Sequence, residues 1–208
     1  MSEMFPSDVE DARQWIRSRL EGDWETVVGG DLPQRPATGA ERPAAVLVPL
    51  VWHAEAPAVL LTRRNDALST HAGQVSFPGG KIDPHDPSAV HAALREAREE
   101  VGLAEAGVDV LGTLPDYITI TRFRVTPVVG LLVPPLALAP EPSEVAEVFE
   151  VPLKLVLDPR QYERHSYVRD GMAGVYLSLT YGPHRVWGAT AAMLRQLSAI
   201  LNPGEAAL

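Results

Sequence analysis

Residues 79–103 read GGKIDPHDPSAVHAALREAREEVGL, the stretch that most restricts the fold. Val90, Ala93, Leu94, Ala97 and Val101 recur at helical spacing and form one apolar stripe. The pattern predicts an amphipathic helix packed on a core. Asp86 is placed to cap its N-terminus, with Pro87 at the first helical position. Gly102 stands where a left-handed residue ends such a helix. At about 100° per residue, Glu96 lies beside both Glu100 and Glu99, and all three fall just off the stripe. Arg95 reaches Glu99 at i, i+4.

Three carboxylates at this end of a helix repel. Glu96 and Glu100 oppose each other by about 0.2–0.5 kcal/mol. Glu99 and Glu100 also face the negative end of the helix dipole, at about 0.3–1 kcal/mol each. A divalent cation between Glu96 and Glu100 would reverse the sign. Mg²⁺ is bound this way, by one or two carboxylates with substrate phosphates completing its shell. The bland alternative is a solvated acidic face, partly neutralised by Arg95 and Arg98.

The spacing around this helix resembles the signature box of the Nudix hydrolases. That box reads Gly, five residues, Glu, seven residues, Arg-Glu, an apolar residue, any, Glu-Glu, any, Gly and an apolar residue. Gly80, Arg95, Glu96, Ala97, Glu99, Glu100, Gly102 and Leu103 match it. Asp86 departs from it, standing where Glu is usual and one residue further from Arg95. Capping is a sufficient explanation for Asp86. The run LLTRRNDALSTHAGQVSFPGGKIDPHD, residues 60–86, resembles the extended motif of the Nudix coenzyme A pyrophosphatases. Arg64, His71, Ser76 and the Phe77-Pro78-Gly79-Gly80 turn belong to that motif, whereas Asn65 replaces its usual Ser. The two motifs cover residues 60–103, about a fifth of the chain.

The resemblance implies an α/β/α sandwich with a mixed central β-sheet and hydrolysis of a diphosphate bond. Mg²⁺ or Mn²⁺ is the implied cofactor. Glu96 and Glu100 would ligate it, with Glu99 ligating a second ion or orienting water, a Gly80 carbonyl adding an oxygen, and Arg95 supporting Glu99. Coenzyme A would give adenosine 3′,5′-bisphosphate and 4′-phosphopantetheine. The base is either Glu99 or a later carboxylate among Glu141, Glu144 and Glu147. Glu144 is the favoured one of these, because it opens a strand after a Pro-rich loop. Arg63, Arg64, Lys81, Arg122 and Arg124 are candidates for phosphate contacts, with Arg64 preferred. His71 either contacts substrate or bonds the backbone of its own loop. Tyr117, Phe123 and Tyr181 are candidates for an adenine pocket. Trp187 reads as core, and Thr190 as a helix cap. The same chemistry on ADP-ribose or a dinucleotide polyphosphate is the first alternative. A catalytically silent nucleotide-binding module is the second, and the retained carboxylates argue against it.

The rest of the chain fits one domain, residues 1–208. A helix at 7–21 is capped by Ser7 and ended by Gly22, and a loop follows at 29–43. Strands are expected at 44–52, 58–64, 74–77, 108–120, 125–133 and 144–151. A short helical turn follows at 152–157, then a hairpin of 162–169 and 174–181. A closing helix spans 189–201 and has Leu194, Leu197 and Leu201 on one face. The net charge of −9 argues against a nucleic-acid or membrane surface. With no cysteine and no leader-like N-terminus, the expectation is a cytoplasmic enzyme. Its partner is a small anionic substrate, and a homodimer is compatible with the pattern.

Overall fold

The computed structural model describes residues 5–22, 24, 39–53, 56–169 and 171–202. The helices are α1 (Val9–Leu20), α2 (Ala89–Val101), α3 (Leu153–Leu157) and α4 (Ala189–Leu201). The strands of the first sheet are β1 (Arg42–Val51), β2 (Ala58–Arg64), β3 (Val75–Ser76), β4 (Gly79–Lys81), β5 (Asp109–Thr113), β6 (Tyr117–Ile118), β7 (Phe123–Leu132) and β8 (Val145–Pro152). A second, antiparallel sheet holds β9 (Tyr162–Arg169), β10 (Met172–Tyr181) and β11 (His184–Trp187).

The first sheet is mixed. β1 and β7 pair in parallel from Arg42↔Phe123 to Val51↔Leu132, and the other pairings are antiparallel. β1 explains the layering. Ala44, Val48 and Leu50 join one core with α1, α3 and α4. Ala45, Leu47 and Val51 join a second core with Ala92, Ala93, Ala97 and Val101 of α2. Alternate residues point to opposite faces of a strand, so a strand apolar at nearly every position must be covered on both sides. The expected α/β/α sandwich with a mixed central sheet is therefore present.

β2 and β4 share one edge of β1. β2 pairs at Leu50 and Val51, while β4 pairs at Ala44 to Val46. The segment 75–81 thus crosses from β2 to β1 and brings Gly79 and Gly80 into the sheet. The loop expected at these glycines is a strand instead.

Five further expectations are corrected. Asp8, not Ser7, caps α1, its side chain accepting the N–H groups of Glu10 and Asp11. The single strand expected over 108–120 is broken at 114–116, where Pro115 has no N–H to donate. α4 is buried from Thr190 to Leu201 rather than on one face, because α1, α3 and the second sheet all pack against it. Gly188 precedes it at the cap position, so Thr190 is free to donate its hydroxyl to the Val75 carbonyl at 3.1 Å. The loop expected at 29–43 lies largely outside the described residues, and Arg42 and Pro43 already belong to β1. Among the described residues, no helix is long and apolar enough to cross a membrane.

Candidate active site

Helix α2 ends as its sequence predicts. Gly102 is left-handed at φ 70°, and its N–H bonds back to the helix. The start differs. Ser88, not Asp86, is the cap: its backbone is extended and its Oγ accepts the His91 N–H. Asp86 is drawn away by Arg95, whose Nε and Nη2 donate to its two oxygens at 3.1 and 2.9 Å. These bonds hold the Asp86 carboxyl below its ordinary range. The same guanidinium donates to Glu96 and Glu99 at 3.0 Å each and to the Lys81 carbonyl at 3.3 Å. Arg95 therefore bonds Glu99 across i, i+4, and ties to it Glu96 and the turn that Asp86 occupies.

The three glutamates sit in different surroundings. Glu99 is exposed, Glu96 is half-buried and Glu100 is only 4% exposed. Burial pushes the Glu100 carboxyl up to about 7, against a Gly79 N–H that favours the charged form. Glu96 is also raised, chiefly by burial. The charge of Glu144 raises both further, which puts this later carboxylate in the same electrostatic cluster. Glu100 receives the Gly79 N–H at 3.3 Å and lies 3.8 Å from Arg64 Nη1. For a buried carboxylate this is thin compensation.

Gly80 forms a cradle for Glu96. A Cβ built on Gly80 would stand 2.6 Å from the Glu96 carboxylate carbon and from one of its oxygens. Among the described residues, no three acidic or imidazole side chains converge as a finished metal nest. Glu96 and Glu100 nonetheless fit a hard cation whose remaining ligands are water, backbone or phosphate oxygens. They are two raised carboxylates, Glu100 with little compensation and Glu96 with the Arg95 guanidinium, against a glycine that leaves space. Gly80→Ala is expected to retain the fold, because the displaced atoms are the far end of a side chain. It should cut turnover about 100-fold, the order of loss that misplacing a reacting group by about 1 Å can bring. Paired melting curves and kcat values check this.

A cavity of about 660 Å³ opens beside the cluster, and Arg64, His71, Ser76, Gly80 and Lys81 all line it. Arg64 Nε is buried with no hydrogen-bond partner. His71 takes a positive φ of 57° and its ring bonds Gln74 Oε1 at 2.8 Å, so it braces its loop while facing the cavity. The Ser76 hydroxyl lies 3.3 Å from that of Thr62. The other basic candidates are engaged elsewhere. Arg63 pairs with Asp66 and Glu147, and Arg122 and Arg124 pair with Glu41.

Among the later acids, Glu141 bonds Ser143 and Glu147 pairs with Arg63 and His184. Glu144 is exposed and has no ion pair among the described residues. Its loop is pinned from two sides. Asn65 takes the Glu144 carbonyl on its N–H at 2.8 Å and the Pro142 carbonyl on its side-chain amide at 2.6 Å. On the other side, the Glu141 N–H donates to the Glu100 carbonyl at 2.9 Å. Asn65, a departure from the motif, thus has a local task.

Phe123 lines the cavity, but two of the three aromatic expectations fail. Tyr117 is 3% exposed in the core, and Tyr181 packs against that core instead of the cavity. Tyr167, Tyr176 and Trp187 of the second sheet take their place. Trp187, expected in the core, is 42% exposed.

A model described as NUDIX domain matches residues 41–170. A protein of Photorhabdus laumondii named "Uncharacterized Nudix hydrolase NudL" is 43% identical over 166 residues, 80% of this chain and 88% of that protein. The protein of the same name in Escherichia coli (strain K12) is 45% identical over 158 residues, 76% of this chain and 81% of that one. Two solved structures share the fold. The Nudix hydrolase RenU of M. smegmatis has a TM-score of 0.50 at 24% identity, covering 76% of this chain and 85% of that one. A Nudix hydrolase of Alicyclobacillus acidocaldarius has a TM-score of 0.50 at 21% identity, covering 81% and 96%. By the matched domain, the relatives and the arrangement of α2 against the glycine strand, this chain belongs to the Nudix hydrolases.

Proposed function

We propose that the chain hydrolyses the diphosphate bond of coenzyme A and its derivatives, giving 4′-phosphopantetheine and adenosine 3′,5′-bisphosphate. One observation carries the reading. The residues of the coenzyme A pyrophosphatase-like stretch, Arg64, His71, Ser76 and Gly80, line one cavity, and two of them reach the glutamates behind it: Gly80 lies against Glu96, and Arg64 Nη1 is 3.8 Å from Glu100.

Each residue then has a task. Glu96 and Glu100 hold the divalent ion, with the Gly80 backbone beside them. Such an ion neutralises diphosphate oxygens and lowers the pKa of an attacking water. Arg64 offers its unpartnered Nε and its outer nitrogens to a phosphate oxygen, a match to its planar fork. Lys81 and His71 line the same cavity. Arg95 keeps Glu96 and Glu99 in position. Glu144 takes the proton of the attacking water. It is preferred to Glu99, whose carboxylate already accepts from Arg95.

Incubating the protein with Mg²⁺ and coenzyme A should release 4′-phosphopantetheine, identified by mass. Rapid turnover of ADP-ribose or a dinucleotide polyphosphate without that product would overturn the substrate assignment and leave the diphosphate chemistry standing.

A further inference from the structure

The cavity has two unlike walls. On the β7 side it is lined by Ile120, Phe123 and Val125. Phe123 is the one ring there, and the Arg42 guanidinium already covers it at 4.0 Å from the centroid. The facing wall is the second sheet, which presents Tyr167, Tyr176 and Trp187.

Register explains that wall. Leu177 and Leu179 of β10 enter the core, so the alternate residue Tyr176 points the other way. Tyr176 stands opposite His165 of β9, and Tyr167 follows two residues along. The Tyr176 ring lies 5.8 Å from Trp187 at 66° and 6.3 Å from Tyr167 at 43°. The indole is left 42% exposed at the cavity edge.

A cation accompanies these rings. Arg185 precedes Trp187 by two residues, which puts both on one face of β11. Its Nη2 lies 3.3 Å from the Tyr176 hydroxyl and 3.4 Å from His165 Nε2. Its guanidinium carbon is 5.9 Å from the Tyr176 ring centre. Glu163 on this sheet pairs with His165, and among the described residues no carboxylate pairs with Arg185.

We propose that this wall is the adenosine seat. Trp187 stacks the purine, Tyr176, whose ring already stacks on His165 at 4.9 Å, meets its edge, and Arg185 binds the phosphate on the 3′ carbon of its ribose. The 3′-phosphate part rests on the coenzyme A reading; the purine seat holds for any adenine nucleotide. A purine has the flat face that an open indole accepts and an edge that an inclined tyrosine ring meets. A guanidinium beside the rings suits an adjacent phosphate. The pantetheine arm has neither a flat face nor, at this end, a charge. The wall of Ile120, Phe123 and Val125, its one ring already covered by Arg42, is the better surface for it.

The test is binding without metal, so that no turnover intervenes. AMP and adenosine 3′,5′-bisphosphate are titrated into wild-type protein, Trp187→Ala, Arg185→Gln and Arg185→Lys, by calorimetry and tryptophan fluorescence. Melting temperatures verify that each variant is folded. Wild type should bind both nucleotides, with fluorescence quenching that the Trp187 variant loses. Trp187→Ala should weaken both by about tenfold or more. Arg185→Gln should weaken only the bisphosphate, by about tenfold, and lysine should restore part of it. Unchanged nucleotide affinities in Trp187→Ala and Arg185→Gln, or no nucleotide binding to wild type, overturns the seat. If those variants instead weaken 4′-phosphopantetheine, the arm occupies this wall and the proposal is wrong. A wild type that binds nucleotides through Trp187 but leaves coenzyme A intact keeps the purine seat and refutes the substrate reading.

Discussion

Glu100→Gln is expected to slow hydrolysis by about 10²–10³-fold and, at pH 8, to stabilise the metal-free protein. The first effect follows from removing one of the two charges proposed to hold the cation. Metal stabilisation of transition-state charge is worth several kcal/mol, and each 1.36 kcal/mol is about a tenfold change in rate. The second follows from burial. Glu100 titrates at about 7 in the fold, up from 4.5. Below about 4.5 it is protonated in both folded and unfolded chains. Between about 4.5 and 7 the fold retains a proton that the unfolded chain has released, so stability falls as pH rises through this window. Above 7 the loss is complete. Glutamine carries no charge and escapes it, which should stabilise the variant by roughly 2–4 kcal/mol at pH 8. Urea titrations at pH 5 and pH 8 measure the difference. Adding Mg²⁺ at pH 8 should stabilise wild type and not the variant. Unchanged kcat in Glu100→Gln would break the metal-ligand argument.

Gly79→Ala should be the most damaging single methyl in the site region. Gly79 has φ 156°, which alanine rarely adopts, and a Cβ there would stand 2.5 Å from the Ala45 carbonyl and 2.6 Å from the Val46 Cα. Those atoms are backbone of the central strand β1 and do not yield as a side chain does. Backbone strain of about 1–3 kcal/mol adds to overpacking of about 1–3 kcal/mol. The sum is a large share of a typical domain's stability, about 5–15 kcal/mol. The expected result is poor folded yield or a sharply lowered urea midpoint, in contrast to Gly80→Ala one residue on. Equal stability of the two variants would contradict the distinction between a glycine required by the sheet and one required by Glu96.

The helix and its carboxylates were readable from periodicity because Val90 to Val101 obey one period without interruption. The start of α2 was not. Asp86 and Ser88 are both good caps, and only the long-range fork of Arg95 decides that Asp86 does other work. Arg64 and Ser76 could be placed at the site by motif. Trp187 could not, since an exposed and a buried tryptophan look alike in a row of letters. Its strand β11, four residues long, is too short to show alternation. Tyr117 and Tyr176 look equally eligible in sequence, because which of them meets the cavity depends on strand register across two sheets. Glu144 was singled out by its position after a Pro-rich loop, but its freedom relative to Glu141 and Glu147 depends on partners distant in sequence.

The parallel pairing of β1 with β7 has a kinetic consequence. Its partners, Arg42 and Phe123 onward, are separated by about 80 residues. Loop-closure entropy must be overcome before so distant a contact contributes. Helix α2 is local and can form early. The strand carrying Gly79 and Gly80 docks on β1, whose other edge stays open until β7 arrives. On a ribosome, the cradle for Glu96 therefore lacks its full backing until residue 132 has emerged. A nascent chain arrested before that point should carry the intact signature box and yet show no Mg²⁺-dependent protection from proteolysis.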